Sequence, residues 1–285
     1  MKIYLNGKIV EEAEAKISVF DRSYLHGEGL YETLRSSQGR IPFLAQHLGR
    51  MEWSATFIGI PFPHPTTIEN AIHEVLKVNN LKDARIKILL SAVSRGMKPQ
   101  LPTEDSEINL TVMAEKFTSW PDSDYEEGVE LCIIRTVKAD MAPVANMKTT
   151  SMMNKMIARR EIAERSVFDG ILLDSAGHVS ETTVANIFWV EKQTVFTPPL
   201  STGLLTGVTR QVVMQAVQKE GLVFREANVT VEELLKKEEV FITNALVDIM
   251  PVTVIQEQEV GSGEVGKVTR GLMESYQELV KKEIN

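Results

Sequence analysis

Residues 174–189 read Asp174-Ser175-Ala176-Gly177-His178-Val179-Ser180-Glu181-Thr182-Thr183-Val184-Ala185-Asn186-Ile187-Phe188-Trp189: a tight turn, a hydroxyl-rich stretch, then an apolar run with the pattern of a buried strand. Glu181 is the only acid between Asp174 and Glu191. A carboxylate set in such surroundings needs a cationic partner, or else it is neutral. A structural ion pair and a functional role both satisfy that need.

Further strand-like runs lie on either side, at 129–137, 168–174, 222–226, 239–243 and 251–255, with the one above covering 185–190. Helical patterns fall between some of them, at 151–165 and 208–219, and a last one spans 265–282. A mixed sheet with flanking helices follows. The polar, proline-bearing segment 118–124 has linker composition and predicts a domain cut there, giving a smaller domain 1–119 and a larger one 120–285. In the first, Asn6-Gly7 suits a two-residue hairpin turn. Leu44, Leu48, Met51, Ala55 and Ile58 share a helical stripe from which Arg50 falls away, and Thr66 with Glu69 spells a capping box ahead of Ile68, Ile72, Val75 and Leu76. The β-rich runs 84–93 and 108–114 complete an α+β unit.

The balance of 31 basic against 39 acidic residues, net −8, disfavours a nucleic-acid partner. The lone Cys132 sits in an apolar run and reads as a core side chain; one cysteine and no export pattern fit a cytoplasmic protein. No apolar stretch reaches the length of a membrane span, and the five histidines show no metal-ligand spacing. Gly261-Ser262-Gly263-Glu264-Val265-Gly266 spells a dinucleotide fingerprint, but the 19 residues after Gly266 are too few for the unit that motif requires, so it reads as a turn.

Two more segments carry chemistry. Lys148 stands among small hydroxyls and thioethers in Ala145-Asn146-Met147-Lys148-Thr149-Thr150-Ser151-Met152-Met153, at the entry to a helix. Partial burial would make it a nucleophilic amine, whereas in water it is an ordinary lysine near a helix start. Gly203-Leu204-Leu205-Thr206-Gly207-Val208-Thr209-Arg210 precedes the helix at 208–219 and offers free amides and hydroxyls, as a phosphate cradle or as a plain capped start.

In chain order the motifs are Asp21-Arg22-Ser23-Tyr24-Leu25-His26-Gly27-Glu28-Gly29-Leu30-Tyr31-Glu32-Thr33-Leu34-Arg35, then Pro42-Phe43-Leu44-Ala45-Gln46-His47-Leu48-Gly49-Arg50, then Lys148. Val179-Ser180-Glu181 with Ala185-Asn186-Ile187-Phe188, the turn 207–210, and Glu239-Val240-Phe241-Ile242-Thr243-Asn244-Ala245-Leu246 complete the set. This series resembles the fold-type IV family of pyridoxal-phosphate enzymes, which includes branched-chain and D-amino-acid aminotransferases and aminodeoxychorismate lyases. The likeness spans nearly the whole chain and lies in the set, not in any one motif.

The resemblance implies pyridoxal 5′-phosphate as cofactor, with Lys148 carrying it and shuttling the substrate's proton, and Glu181 paired with the ring nitrogen. It implies phosphate binding by Arg50, Val208, Thr209 and the Asn244-Ala245 turn, and a homodimer. Tyr31 matches a substrate-side tyrosine of the D-amino-acid enzymes, and Thr33 with Arg35 looks more like the lyase. The loop 94–102 lacks the Arg-x-His clamp of well-known D-amino-acid aminotransferases, leaving Arg35, Arg95 or Lys98 to hold a substrate carboxylate. Ser151 stands where lyases and D-amino-acid enzymes commonly have asparagine. The reading is an aminotransferase acting on an α-amino acid and a 2-oxo acid, with a pyruvate-releasing lyase and a cofactor-binding regulatory module as alternatives.

Overall fold

The structure, a computed structural model, describes residues 1–94, 96–98, 100–139 and 143–284. Two compact units divide between Thr118 and Ser119, and the segment Met147–Met152 returns to the first.

The first unit is built from β1 (Lys2–Leu5), β2 (Lys8–Glu11), α1 (Arg22–His26), β3 (Gly29–Ser36), α2 (Leu44–Ile58), α3 (Pro65–Val78), β4 (Ala84–Ala92) and β5 (Ile108–Lys116). Its antiparallel sheet runs β2-β1-β5-β4-β3. Asn6 and Gly7 take φ of 49° and 88°, the positive values that the expected hairpin turn requires. Leu30, Leu34, Ile86, Ile88, Leu90 and Val112 pack with Leu48, Met51, Ile68 and Ile72 of the helices in one core. The expected capping box is absent from α3. His64 is the N-cap instead, accepting from the Thr66 N–H, because Pro65 already supplies a first helical residue with the right φ and no N–H to satisfy. Helix α1 was not read from the sequence; Asp21 caps it, accepting from Ser23 N–H at 2.8 Å, and Gly27 ends it at φ 68°.

Strand β3 alternates strictly: Leu30, Glu32, Leu34 and Ser36 are buried, while Tyr31, Thr33 and Arg35 occupy the opposite face. The segment 147–152 lies along its edge. Tyr31 N–H donates to Lys148 O at 2.9 Å, Thr150 N–H to Gly29 O at 2.8 Å, and Leu30 pairs with Thr149. Gly29 is necessary for that approach, since a Cβ there would come within 2.6 Å of Ser23 Cβ and 2.9 Å of Thr150 Oγ1. A single cut in sequence near 120 leaves out this return of the chain.

The second unit comprises α4 (Asp122–Glu126), β6 (Val129–Ile133), α5 (Met153–Ala163), β7 (Asp169–Leu173), β8 (Val179–Thr182), β9 (Asn186–Glu191) and β10 (Thr194–Thr197). They are followed by α6 (Val208–Lys219), β11 (Val223–Glu226), α7 (Val231–Leu234), β12 (Glu239–Asn244), β13 (Asp248–Ile255), β14 (Gln258–Glu259) and α8 (Lys267–Ile284). The mixed sheet runs β11-β10-β9-β12-β13-β6-β7-β8, with β14 on β13. Strand β8 also pairs with β9 at Glu181 and Asn186, which closes β9, β12, β13, β6, β7 and β8 into a ring. Val129, Leu131, Ile171, Ile187, Val240 and Ile242 contribute to its apolar filling. The turn at Gly261–Gly266 is occupied by protein: Glu239 accepts from Val268 N–H at 3.1 Å and Thr269 N–H at 2.7 Å, and a Cβ on Gly266 would strike its carboxyl group. An acid at the start of α8 leaves no place for a pyrophosphate.

Candidate active site

In the first unit the Lys148 ammonium stands over the Tyr31 ring, 4.6 Å from its centroid, and the Tyr31 hydroxyl reaches Met152 Sδ at 3.0 Å. Both contacts follow from the edge pairing of 147–152 with β3, which sets Lys148 beside Tyr31 in register. Thr33 and Arg35 lie on the same face as Tyr31, with the Arg35 guanidinium 5.4 Å from the Phe117 ring centroid. A second cation, Lys87, comes 4.9 Å from the Tyr31 centroid. Burial lowers its pKa, and Arg85 adds to the effect. Lys87 interrupts the apolar run 86–93 in the sequence, but nothing local to it points to Tyr31 or to a substrate. Arg95 lies outside the described residues, and Lys98 is exposed on its loop.

Arg50 falls off the apolar stripe of α2 because it serves an acid. Its Nε and Nη2 grip Glu32 Oε1 and Oε2 at 2.8 and 2.7 Å, and His47 Nδ1 meets Glu32 Oε2 at 2.9 Å. Burial alone would raise the Glu32 pKa, but the Arg50 guanidinium and His47 outweigh it and hold the acid at about 2. For His47, burial pushes the pKa down, Glu32 opposes, and Arg50 and Lys148 push further down, so a neutral imidazole donates its Nδ1–H to Glu32.

Because the folded Glu32 pKa lies below its ordinary 4.5, the cluster stabilises the fold fully above that value and loses the contribution as pH falls toward about 2. Glu32→Gln should cost about 3 kcal/mol at pH 7 in denaturant unfolding, since a guanidinium only 10% exposed loses the Glu32 charge. The gap to wild type should narrow at pH 3; a gap independent of pH would show that charge is not the cause.

In the second unit, Glu181 projects from the strand that closes the ring. Its Oε2 accepts from Leu205 N–H at 3.0 Å and Asn186 Nδ2 at 3.4 Å, while Oε1 accepts from Lys155 Nζ at 2.9 Å. The acid is buried, and the cation that it required is Lys155, three residues into α5. Helix α6 begins with Val208 and Thr209 buried and with Gly207 as its N-cap, a residue with no side chain to offer the first-turn amides. A Cβ on Gly207 would lie 2.0 Å from Asn186 Oδ1, so glycine keeps the turn and the acid's neighbour together. Arg210 is turned away to anchor the helix on Glu226 and the Pro198 carbonyl. The Asn244 carboxamide oxygen is committed to its own turn, accepting from Leu246 and Val247 N–H at 2.8 and 3.0 Å. Beside Asn244 and Ala245, the buried Thr243 hydroxyl has no hydrogen-bond partner among the described residues.

The site residues thus form four clusters: an amine on a strand edge beside an aromatic ring, a guanidinium fixed by a buried acid, an acid held by three donors, and a helix start behind a glycine N-cap near a hydroxyl with no partner among the described residues. No helix of the described residues is long and apolar enough to cross a membrane.

Comparison with known proteins bears on these clusters. The profile for Amino-transferase class IV matches residues 29–255. A putative branched-chain-amino-acid aminotransferase of Methanocaldococcus jannaschii is 32% identical over 98% of this chain and 96% of its own length. The aminodeoxychorismate lyase of Bacillus subtilis is 31% identical over 99% of this chain and 96% of its own length. The solved branched-chain amino acid aminotransferase of Escherichia coli shares the fold at a TM-score of 0.91, with 23% identity over 100% of this chain and 96% of that one. A profile match across most of the chain, with relatives aligned from end to end, shows that the protein belongs to the class IV aminotransferases, enzymes that use pyridoxal phosphate.

Proposed function

We propose that this enzyme exchanges an amino group between an α-amino acid and a 2-oxo acid, using Lys148 as its proton-moving amine and Glu181 as the partner of the cofactor's ring nitrogen. The observation that carries the reading is the state of those two groups. Lys148 is held at a strand edge against Tyr31, and Glu181 is buried with its carboxylate aligned by Leu205, Asn186 and Lys155. The residues fit the cofactor chemically: a helix start behind a glycine N-cap suits a phosphate, as does the buried Thr243 hydroxyl, which has no hydrogen-bond partner among the described residues. When bound, pyridoxal phosphate supplies an electron sink for the charge left on the substrate's Cα.

In this reading Lys148 takes that Cα proton and returns it to the other side of the exchanged bond, and Glu181 holds a proton on the ring nitrogen. Val208 and Thr209 hold the phosphate through backbone N–H groups and the Thr209 hydroxyl, and the resemblance assigns Arg50 and the turn at Asn244 and Ala245 to the same phosphate. Arg50 is pre-oriented for such work by Glu32. Lys87 joins Arg35 as a candidate for the substrate carboxylate, since it shares the Tyr31 ring with Lys148; Arg95 and Lys98 remain assigned by the loop's sequence alone. A homodimer and a cytoplasmic location belong to the same reading.

The lyase is the second reading, supported by the Bacillus subtilis relative and by Thr33 lying on one face with Tyr31. Adding amino acids of both configurations to the cofactor-loaded enzyme separates the alternatives. A visible absorption band that bleaches with an amino acid and returns with a 2-oxo acid is the expected result. Pyruvate release from aminodeoxychorismate without an acceptor would select the lyase, and a band that responds to neither would leave only a binding module.

A further inference from the structure

Lys155 is in an electrostatically unfavourable position for a lysine. It stands in the first turn of α5, where the helix dipole favours an acid, and that turn contains none. Strand β8 supplies the acid from outside the helix: Lys155 Nζ lies 2.9 Å from Glu181 Oε1, with the lysine side chain 26% exposed and the glutamate 6% exposed. Glu181 does not need Lys155 for orientation, because Leu205 N–H and Asn186 Nδ2 both hold its other oxygen. An ionised carboxylate accepts at about four lone-pair positions, and three donors are already placed. A ring nitrogen that reaches this acid therefore shares its charge with an ammonium.

Resting on the assignment of Glu181 to the ring nitrogen, we propose that Lys155 is a positioning residue for the reaction: by neutralising part of the Glu181 charge, it limits how strongly the acid holds the protonated nitrogen of the cofactor. The lysine touches the acid and acts on the ring through it. Its removal leaves the neutral donors in place and the full negative charge for the nitrogen alone. A lysine that merely staples α5 to β8 would alter stability without altering recognition of one ring atom.

The test uses the unloaded full-length chain, titrated with pyridoxal 5′-phosphate and with its 1-deaza analogue, in which C–H replaces the ring nitrogen. The ratio of the two affinities isolates the nitrogen. Lys155→Met should raise that ratio about five-fold, the scale of an ion pair with one partner partly in water, whereas Lys155→Arg, which keeps the charge, should stay within about two-fold of wild type. An unchanged or lower ratio in Lys155→Met overturns the proposal; if that variant fails to fold, Lys155→Gln makes the same measurement. Glu181→Gln separates the two levels of the argument. If it lowers the ratio while Lys155→Met does not move it, only the role of Lys155 fails; if Glu181→Gln leaves the ratio at the wild-type value, the assignment of Glu181 fails and takes the proposal with it.

Discussion

Lys148→Ala is expected to lose at least about 10³-fold in turnover, because it deletes the only group assigned to move the substrate's proton, and general acid–base steps alone are worth about 10²–10⁴. The fold should survive. The contact with β3 is made by the backbone carbonyl of Lys148, which accepts from Tyr31 N–H at 2.9 Å and is present in alanine too. The ammonium over the Tyr31 ring, 4.6 Å from its centroid, is worth about 0.5–1 kcal/mol at a partly exposed site. The expected signature is therefore inactivity in a protein whose unfolding midpoint is nearly unchanged, with partial recovery on adding a small primary amine. Lys87 is the natural control, since it approaches the same ring at 4.9 Å. Lys87→Met should weaken substrate binding and leave the cofactor's visible band in place. Should Lys87→Met erase that band while Lys148→Ala keeps it and turns over, the two lysines have been assigned the wrong way round.

Glu181→Gln is the second large effect expected, about 10²–10³-fold in kcat, comparable to removing one well-placed electrostatic group from other active sites. Glutamine keeps the volume of the side chain and an oxygen for Leu205 N–H, which now makes a 3.0 Å bond to Oε2. It cannot keep a proton on a ring nitrogen by charge. Binding of substrate should change only a few-fold, because the lost interaction belongs to the reaction's charge redistribution and not to the ground state. Stability should fall modestly, since Lys155 loses the Glu181 charge but stays in partial contact with water. Equal losses in kcat and in substrate affinity would mean that Glu181 shapes the pocket instead of serving the chemistry.

The limits of the sequence reading have local causes. Strand β8 is only Val179-Ser180-Glu181-Thr182, too short and too polar for a strand pattern, yet all four residues are buried because it closes the ring. Strand β10, Thr194–Thr197, is as short and was missed for the same reason. Longer periodic segments were legible: the pattern at 208–219 coincides with α6, and those at 151–165 and 265–282 overlap α5 and α8. Lys148 and Glu181 were both singled out, as polar groups in surroundings that demand a reason for them. Lys155 was not, since a lysine at a helix start normally faces water and nothing in its neighbours announces an acid 26 positions away.

Sequence by itself determined the longer helices and strands in their order, the mixed sheet of the second unit, and the set of motifs that marks the family, because periodicity, turn residues and motif spacing are local and survive without coordinates. Only the tertiary structure decided who partners whom: Lys155 with Glu181, Arg50 and His47 with Glu32, and the segment of Lys148 with the edge of β3. Those pairings depend on strand register and on which face each side chain takes, and a slip of one residue in β3 or β8 would send Glu32 or Glu181 to the opposite face.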